Sequence, residues 1–450
     1  MNPTPPTVSH QPPLLVFCHL RWNFVHQRPQ HLLSRLAAHR RVIFIEEPMN
    51  GTATPYFERF EPSPGVEVLR PSTPSSAPGF DDEQIVHLRA LLVEYLRDFA
   101  IESYDVWLYT PMALPLLAGL SPRLVIYDCM DALASFKGAP RQMQQREAGL
   151  LKRADLVICG GPSLYDARRT LHPNVLCLPS AVDAEHYRPR AEAAPVAGRA
   201  DGAFNGINEG VPTPRLGFFG VIDERLDLDL VAALADADPQ WQVVMVGPVV
   251  KITTDDLPAR PNLHWFGQQT YARLPHWVAG WDVCLLPFAR NEATRFISPT
   301  KTLEYMAAEK PVVSTAITDV ERLYRHAVAI AEDTDAFITA CQRAMQETPQ
   351  QRVERVARMR ATVAAMSWDA TAERIERAIE AAVETQRRSR LTRRQAAARA
   401  AVAEALALLP ATTRRSTQPA AMQTASSTTP LTADQPQATE PADRDAPPLR

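Results

Sequence analysis

Short runs of apolar residues alternate along most of the chain with longer segments in which apolar residues recur every three to four positions. Leu14–Cys18 and the centre of Arg41–Glu46 are runs of the first kind, which is typical of parallel strands buried on both faces. His31–Ala38, between them, carries its leucines on one helical face. Strands that alternate with helices in this way predict an α/β fold with parallel sheets.

The alternation occurs twice, and the segment between the two series is rich in Ala, Gly, Asn and Pro, which indicates a linker. Two series predict two Rossmann-like lobes whose sheets face a central cleft, with ligands at the carboxyl ends of the strands. The predicted segments are a disordered lead (1–13), an N-terminal lobe (14–190), the linker (191–213), a C-terminal lobe (214–366), a further helix (367–385), a basic, Ala-rich helix (386–410) and a disordered tail (411–450).

Three segments depart from the alternating pattern. Residues 50–80 are rich in Pro, Ser and Gly, and we expect them to be irregular. The helix over 386–410 begins with an Arg-rich run, so it either lies on an anionic membrane surface or is solvated. Its apolar half is mostly Ala, so we expect any peripheral membrane association to be weak. Residues 411–450 have few large apolar side chains, which indicates disorder.

Composition narrows the class of protein. The 450 residues are 46% apolar and 22% charged, as in globular proteins, and a formal net charge of -3 gives no reason to expect nucleic acid. The sequence contains no run of about 18 apolar residues, so it predicts no membrane span. Residues 1–13 lack the pattern of a secretory signal. The six cysteines have no Cys-x-x-Cys spacing, which favours free thiols in a reducing, cytoplasmic setting.

One stretch carries the strongest chemical signal in the chain. Ser298 is a favourable N-cap and Pro299 a favourable first residue for a helix that should end near Ala308. Lys301 would then lie in the first turn, where a cation opposes the helix dipole at a cost of up to about 1 kcal/mol. A bound phosphate would remove that cost. Glu304, one turn later, suits a ribose or sugar hydroxyl; the alternative is a solvated Lys–Glu pair.

A second cation is predicted at the same end of the second sheet. Gly220 follows an apolar strand and allows a ligand to approach the backbone closely. Arg225, five residues later, could bind diphosphate oxygens in a bidentate fork together with Lys301. The alternative is that Arg225 forms an ion pair with Asp223 or Asp227.

Several motifs occur in the order found in the retaining "group 1" glycosyltransferases of the GT-B fold, and the chain resembles that superfamily. Leu178–Asp183 with Tyr187–Pro189 resembles its hinge motif, and Gly217–Gly220 with Arg225 resembles its Gly-Arg…Lys loop. The resemblance covers about residues 14–385, and its further pieces are Val246–Pro248, Asn262–Gly267, Trp281–Pro287, Leu303–Val313 and Ser367–Trp368.

The resemblance implies an acceptor-side first lobe, a nucleotide-sugar-binding second lobe and a helix from Ser367 that crosses back to the first lobe. It implies that Arg225 and Lys301 contact the donor diphosphate and that Glu304 binds the ribose. It also implies no metal, since basic side chains and helix termini neutralise the leaving group, and no cofactor besides the nucleotide-sugar co-substrate. The donor-binding set predicted is Gly220, Arg225, Asn291, Thr294, Lys301, Thr302 and Glu304.

The chain also departs from the family pattern. Phe296 stands where a second Glu is common, so we expect Asn291 and Thr294 nearby to contact the donor sugar. The hinge has Ser180-Ala181 in place of Asn-Gly, and the first lobe lacks the Gly-rich first loop. The sugar and the acceptor therefore stay open.

Four first-lobe residues are candidates for the acceptor side: His19, Arg28, Asp128 and Asp131. Either aspartate could orient the acceptor hydroxyl or take its proton, and Asp131 joins Arg225 and Lys301 as a predicted catalytic residue. The alternatives are ordinary structural roles. The aspartates could cap or order the loop, His19 could be a hydrogen-bonded loop residue, and Arg28 could lock its loop in an ion pair instead of binding an anionic acceptor.

These observations predict a cytoplasmic glycosyltransferase, with the inner membrane face as a further location. It would transfer a sugar from a nucleoside diphosphate sugar to a glycan or lipid-linked polysaccharide intermediate, without nucleic-acid partners. A nucleotide-sugar epimerase and a non-catalytic nucleotide-sugar-binding protein are the alternatives. The oligomeric state stays open.

Overall fold

Buried strands pair into two separate sheets in the computed structural model, which describes residues 11–189, 208 and 210–407. Most of the predicted lead, most of the linker and all of the predicted tail lie outside the described residues. The two predicted Rossmann-like lobes are both present, one around each sheet.

The first sheet contains nine strands in the order β3-β5-β2-β1-β6-β7-β8-β9, with β4 paired to β5. All of its pairings are parallel except that of β4 with β5. The strands are β1 Leu14–Phe17, β2 Val42–Ile45, β3 Met49–Asn50, β4 Tyr56–Ser63, β5 Val66–Thr73, β6 Asp105–Leu108, β7 Val125–Cys129, β8 Leu156–Cys159 and β9 Val175–Cys177. Its helices are α1 Arg28–Leu36, α2 Asp82–Asp98, α3 Met143–Arg153 and α4 Pro162–Arg168. The short helix α5, Ala184–Tyr187, follows β9 and packs against the core of the second lobe.

The hairpin of β4 and β5 corrects the expectation that residues 50–80 are irregular. Strand β5 is largely buried beside β2, whereas no residue of β4 is buried because β4 lies at the edge of the sheet. An edge strand exposed on both faces needs no apolar alternation, so its charged residues gave no strand signal.

The second sheet has the order β12-β11-β10-β13-β14-β15, with all pairings parallel. This is the doubly wound arrangement, in which the order of strands across the sheet reverses between the first and fourth strands, here β10 and β13. Its strands are β10 Arg215–Phe219, β11 Gln242–Val246, β12 Leu263–Phe266, β13 Val283–Leu286, β14 Val312–Thr315 and β15 Ala329–Ala331. Its helices are α6 Leu228–Ala237, α7 Leu274–Ala279, α8 Lys301–Ala307, α9 Thr318–Tyr324, α10 Thr334–Met345 and α11 Pro349–Ala364.

Helix α8 begins later than predicted. Thr300 is its N-cap, in helical conformation and without a capping side-chain bond, so the prediction that Ser298 caps and Pro299 opens the helix is wrong. Residues 298–300 instead line the cavity between the lobes. The predicted end near Ala308 is confirmed. Glu309 takes a left-handed φ of 57°, and the Lys310 N–H donates to the Tyr305 carbonyl at 3.1 Å, which closes the helix.

The last helix, α12, runs without interruption from Trp368 to Ala407 and replaces the two helices predicted over 367–410. Its first part packs on the outer face of the first sheet through Trp368, Ile375 and Ile379. The Trp368 ring stacks on His31 with centroids 4.8 Å apart. A compact body extends to Arg388, and the side chains of residues 389–405 are all exposed.

Candidate active site

The largest group of predicted site residues meets in one cavity between the two lobes. Gly220 and Arg225 reach it from the loop after β10, and Lys301 and Glu304 reach it from α8, which follows β13. These are the two strands at the reversal point of the second sheet, where loops diverge and leave a crevice. Arg28 and Asp131 line the first-lobe side of the same cavity.

Arg225 is held in place by a neighbouring carboxylate. Its Nε donates to both carboxylate oxygens of Asp223, at 2.9 and 3.1 Å, and its Nη2 donates to Oδ2 at 2.7 Å. The alternative reading, an ion pair with Asp223, is therefore realised, but inside the cleft and not on an open surface. Asp223 is 3% exposed. The pair fixes the guanidinium at the cavity wall, with the Nη1 group outside the fork that Asp223 occupies.

Lys301 lies directly above Gly220. A Cβ at Gly220 would come within 2.7 Å of Lys301 Cε, so the absence of a side chain there makes room for the lysine. The ammonium sits 5.3 Å from the ring centres of Phe218 and Phe288. Burial and, to a smaller extent, the charge of Arg225 lower the pKa of Lys301 to about 8, while the charge of Glu304 partly opposes the change. No hydrogen bond to Lys301 Nζ occurs within the described residues, so its donors are available to a ligand.

Two carboxyl groups complete the charged wall of the cavity. Burial raises the pKa of Glu304 to about 7, against the opposing field of Lys301. Burial raises the pKa of Asp131 to about 6, against Arg225 and Lys301. Asp131, which belongs to the first lobe, therefore lies near the two cations of the second lobe, Arg225 and Lys301. Four groups whose charges depend on one another surround one space, an arrangement typical of functional sites.

Arg28 and Asp128 form a buried ion pair. Arg28 Nε donates to the two Asp128 oxygens at 3.2 and 3.0 Å, and Nη1 donates to the Leu178 carbonyl at 2.9 Å. Arg28 is 4% exposed and Asp128 is fully buried. The pair joins the start of α1 to the end of β7, as the loop-locking alternative predicted. Asp128 is therefore occupied by Arg28, whereas Asp131 is the aspartate that lines the cavity.

The remaining candidates lie outside the cavity lining. Asn291 and Thr294 bond to each other, with the Thr294 N–H donating to Asn291 Oδ1 at 3.1 Å, and so order the loop after β13. Thr302 is fully buried, and its hydroxyl has no partner among the described residues. His19 is half-buried just after β1, and burial together with the charge of Lys251 lowers its pKa to about 4.

Three residues outside the predicted site set also shape the site, and of these the sequence analysis had considered only Asp223, as an ion-pair partner of Arg225. Asp223 orients Arg225, Phe136 of the first lobe lies 5.2 Å from the Arg225 guanidinium, and Tyr187 lies beside Glu304. Phe136 is 89 positions from Arg225 in sequence, and no periodic pattern connects them. Phe296, the departure from the family pattern, packs against the core of the first lobe.

The described part of the chain has neither a metal-binding cluster nor a membrane-spanning helix. Residues 11–189, 208 and 210–407 contain no group of three or more His, Cys, Asp or Glu side chains placed to hold a metal ion. Over the same residues, none of the helices has the length and apolar character needed to cross a membrane.

The fold is shared with solved structures at low sequence identity. Sucrose-phosphate synthase from Thermosynechococcus elongatus superposes with a TM-score of 0.64 at 16% identity, covering 82% of this chain and 98% of that one. Anabaena HepE in complex with UDP and glucose superposes with a TM-score of 0.60 at 14% identity, covering 82% of this chain and 100% of that one. Two parallel-sheet lobes in this arrangement define the GT-B fold.

Two sequence comparisons find a likeness to glycosyltransferases over part of the chain. Residues 213–347 match the family model described as Glycosyl transferases group 1. TuaH of Bacillus subtilis (strain 168), whose name describes a glycosyltransferase of teichuronic acid biosynthesis, is 26% identical over 264 residues. That match covers 54% of this chain and 64% of the relative, so the chain spans less than two thirds of the relative's length. The chain therefore has the GT-B fold, and its second lobe is similar in sequence to the group 1 glycosyl transferases.

Proposed function

We propose that this protein transfers a sugar from a nucleoside diphosphate sugar to a hydroxyl of an acceptor. The observation that carries the proposal is the meeting of Arg225, Lys301 and Glu304 in one interlobe cavity at the reversal point of the second sheet. A guanidinium and an ammonium suit the two phosphates, and a buried carboxyl suits the ribose hydroxyls.

In the proposed reaction the bond between the sugar and the β-phosphate breaks as charge develops on the leaving diphosphate. Arg225, held by Asp223, and Lys301 would stabilise that charge without a metal ion. The acceptor hydroxyl would enter from the first lobe, where Asp131 is placed to orient it or to accept its proton. Retention of the anomeric configuration belongs to this proposal as a family expectation.

For the donor, we propose UDP as the first nucleoside diphosphate to test, because HepE is described in complex with UDP and glucose. The acceptor class we propose is a glycan or lipid-linked intermediate of a cell-surface polysaccharide, by likeness to TuaH. A cytoplasmic enzyme working at the inner membrane face would meet both substrates.

The test is calorimetric titration of the full chain with UDP, GDP and ADP. We expect Arg225→Ala and Lys301→Ala each to weaken binding of the preferred nucleotide by about 10- to 100-fold, since a hydrogen bond to a charged group contributes about 1.5–3 kcal/mol. Arg260→Ala is the matched control, because Arg260 forms a similar pair with Asp236, at 2.6 Å, on the outer surface of the same lobe. Unchanged binding in both site variants would refute the phosphate assignment.

Activity assays separate the alternatives. A transferase consumes a nucleotide sugar only when an acceptor is supplied, whereas an epimerase releases an altered free sugar without one. A binding protein would give a titration curve with no turnover of any donor over a broad acceptor panel. Either of the last two results would replace the transferase proposal.

A further inference from the structure

A short loop of the first lobe reaches across the cleft to the loop that carries Arg225. The crossing loop, defined here as residues 131–139, follows β7 and makes a tight 3-10 turn over Leu133–Ser135. Ala132, Leu133 and Ala134 pack against the core of the first lobe, so the base of the loop is anchored there. Its tip, Phe136 and Lys137, contacts the other lobe.

The tip makes three contacts with charged groups of the second lobe. The Phe136 ring centre lies 5.2 Å from Arg225 Cζ and 4.8 Å from Lys251 Nζ, so one aromatic ring serves two cations. The Lys137 backbone N–H donates to Glu224 Oε1 at 3.1 Å. Lys251 Nζ also approaches that oxygen, at 3.4 Å, so the contacts form one cluster.

The second-lobe side of the cluster is held by its own structure. Asp223 fixes Arg225, as described above, and Glu224 is the residue between them. Lys251 has a left-handed φ of 65°, an uncommon conformation for a residue with a side chain, and this directs it to the cluster. Glu224 Oε2 is buried and has no partner among the described residues, so Oε1 alone carries the interlobe bond.

We propose that Phe136 is a positioning residue for the donor diphosphate. Asp223 holds the guanidinium by hydrogen bonds within the second lobe, and the Phe136 ring adds a contact with the same cation that exists only when the lobes are together. The crossing loop thereby couples closure of the cleft to the position of the Arg225 guanidinium at the phosphate site. This inference rests on the proposed function for the identity of the ligand, but not for the contact itself.

The first experiment compares nucleotide binding by three variants of the full chain. Phe136→Leu removes the ring and keeps an apolar side chain, whereas Phe136→Tyr keeps the ring. Phe99→Leu is the matched control, because Phe99 lies 4.4 Å from Arg59 Cζ and 5.3 Å from Arg41 Cζ, away from the cavity. The probe is whichever of UDP, GDP and ADP the wild-type protein binds most tightly.

We expect Phe136→Leu to weaken binding of the probe by about 5- to 30-fold, the effect of losing two cation–π contacts. Phe136→Tyr should restore wild-type binding, and Phe99→Leu should not change it. Other interlobe contacts, such as the Ser163 N–H bond to Asp319 at 3.0 Å, should keep the lobes associated in every variant. Equal affinities for Phe136→Leu and wild type, or an equal loss in Phe99→Leu, would overturn the proposal.

A second measurement needs no nucleotide. Hydrogen exchange of the free protein reports on the Lys137 N–H and on the loop 220–226. In Phe136→Leu, and not in Phe136→Tyr, exchange should become faster on both sides of the cleft. Exchange that is unchanged in 220–226 would overturn the proposal even if no nucleotide binds. Failure of the wild-type protein to bind any of the three nucleotides would instead count against the proposed function.

Discussion

If the proposed nucleotide binds at Lys301, the titration of this lysine should make nucleotide binding depend on pH. In the free protein the pKa of Lys301 is lowered to about 8, so roughly half of the ammonium groups are lost at pH 8 and about nine tenths at pH 9. A bound diphosphate favours the charged ammonium and raises its pKa. Binding is therefore accompanied by proton uptake above pH 7, and affinity must fall as the pH rises.

The size of the effect follows from the fraction of charged lysine. If only the ammonium form binds well, affinity at pH 9 should be about tenfold lower than at pH 7, or about 1.4 kcal/mol. Glu304, whose pKa is raised to about 7, ionises in the same window and adds to the decline by facing the diphosphate with a negative charge. The terminal phosphate of UDP, with a second pKa of about 6, completes its ionisation just above pH 7, and the same change in the ligand is present in the control variant below.

Calorimetric titrations of UDP at pH 7, 8 and 9 test this reasoning. Lys301→Arg is the control variant, because a guanidinium stays charged throughout and leaves only the contribution of Glu304. The wild-type affinity should decline more steeply than that of Lys301→Arg. A flat wild-type profile, or identical slopes in the two proteins, would refute the placement of Lys301 at the phosphates.

Three further outcomes can be measured on purified variants. Gly220→Ala should weaken UDP binding by about tenfold or more, because the methyl group would displace the Lys301 ammonium, whereas Gly267→Ala, which has open space around it, should bind normally. In urea unfolding, Trp368→Ala should lower the free energy of unfolding by about 3–5 kcal/mol, since Trp368 is 1% exposed in the core of the first lobe; an effect below about 1 kcal/mol would contradict that packing. Burial lowers the pKa of His31 to about 2, so the neutral form is required in the fold and stability is lost as the pH falls below about 6.5. At pH 5 the loss should be about 2 kcal/mol, and His31→Gln should flatten this part of the pH–stability curve; an unchanged slope would be the contrary result.

The lobes could be predicted because buried parallel strands require consecutive apolar residues. Val283–Leu286, for example, is buried at every position, and so is Leu14–Phe17. The hairpin strand Tyr56–Ser63 was missed because it lies on a sheet edge, where both faces meet solvent. The pattern of apolar residues therefore predicts which strands are buried, and it misses a strand that is exposed at a sheet edge.

The candidate site was predictable in its second-lobe part for a topological reason. Gly220, Arg225, Lys301 and Glu304 follow two strands that meet at the reversal point, so strand order alone brings them together. Asn291 lies in the same loop region, yet its side chain accepts a bond from the Thr294 N–H of its own loop and donates to the Glu224 carbonyl of the neighbouring loop. Whether a polar side chain faces a cavity or its own backbone depends on local geometry that spacing does not encode.

Contacts between residues far apart in the chain were beyond the sequence. Arg28 and Asp128, both of the first lobe, are 100 residues apart, and their pairing depends on how α1 is set against β7. Phe136 meets Arg225 and Lys251 only because the two lobes are joined at one angle. The pattern of apolar positions predicts the elements of each lobe, but it does not predict the angle between the two lobes.

The central claim is that one diphosphate is held by two cations from the second lobe. A crystal structure of the full chain with its preferred nucleoside diphosphate tests it most directly. The account predicts phosphate oxygens within hydrogen-bonding distance of both the Arg225 guanidinium and the Lys301 ammonium, with the ribose at Glu304. A nucleotide bound with its phosphates away from both cations would contradict it.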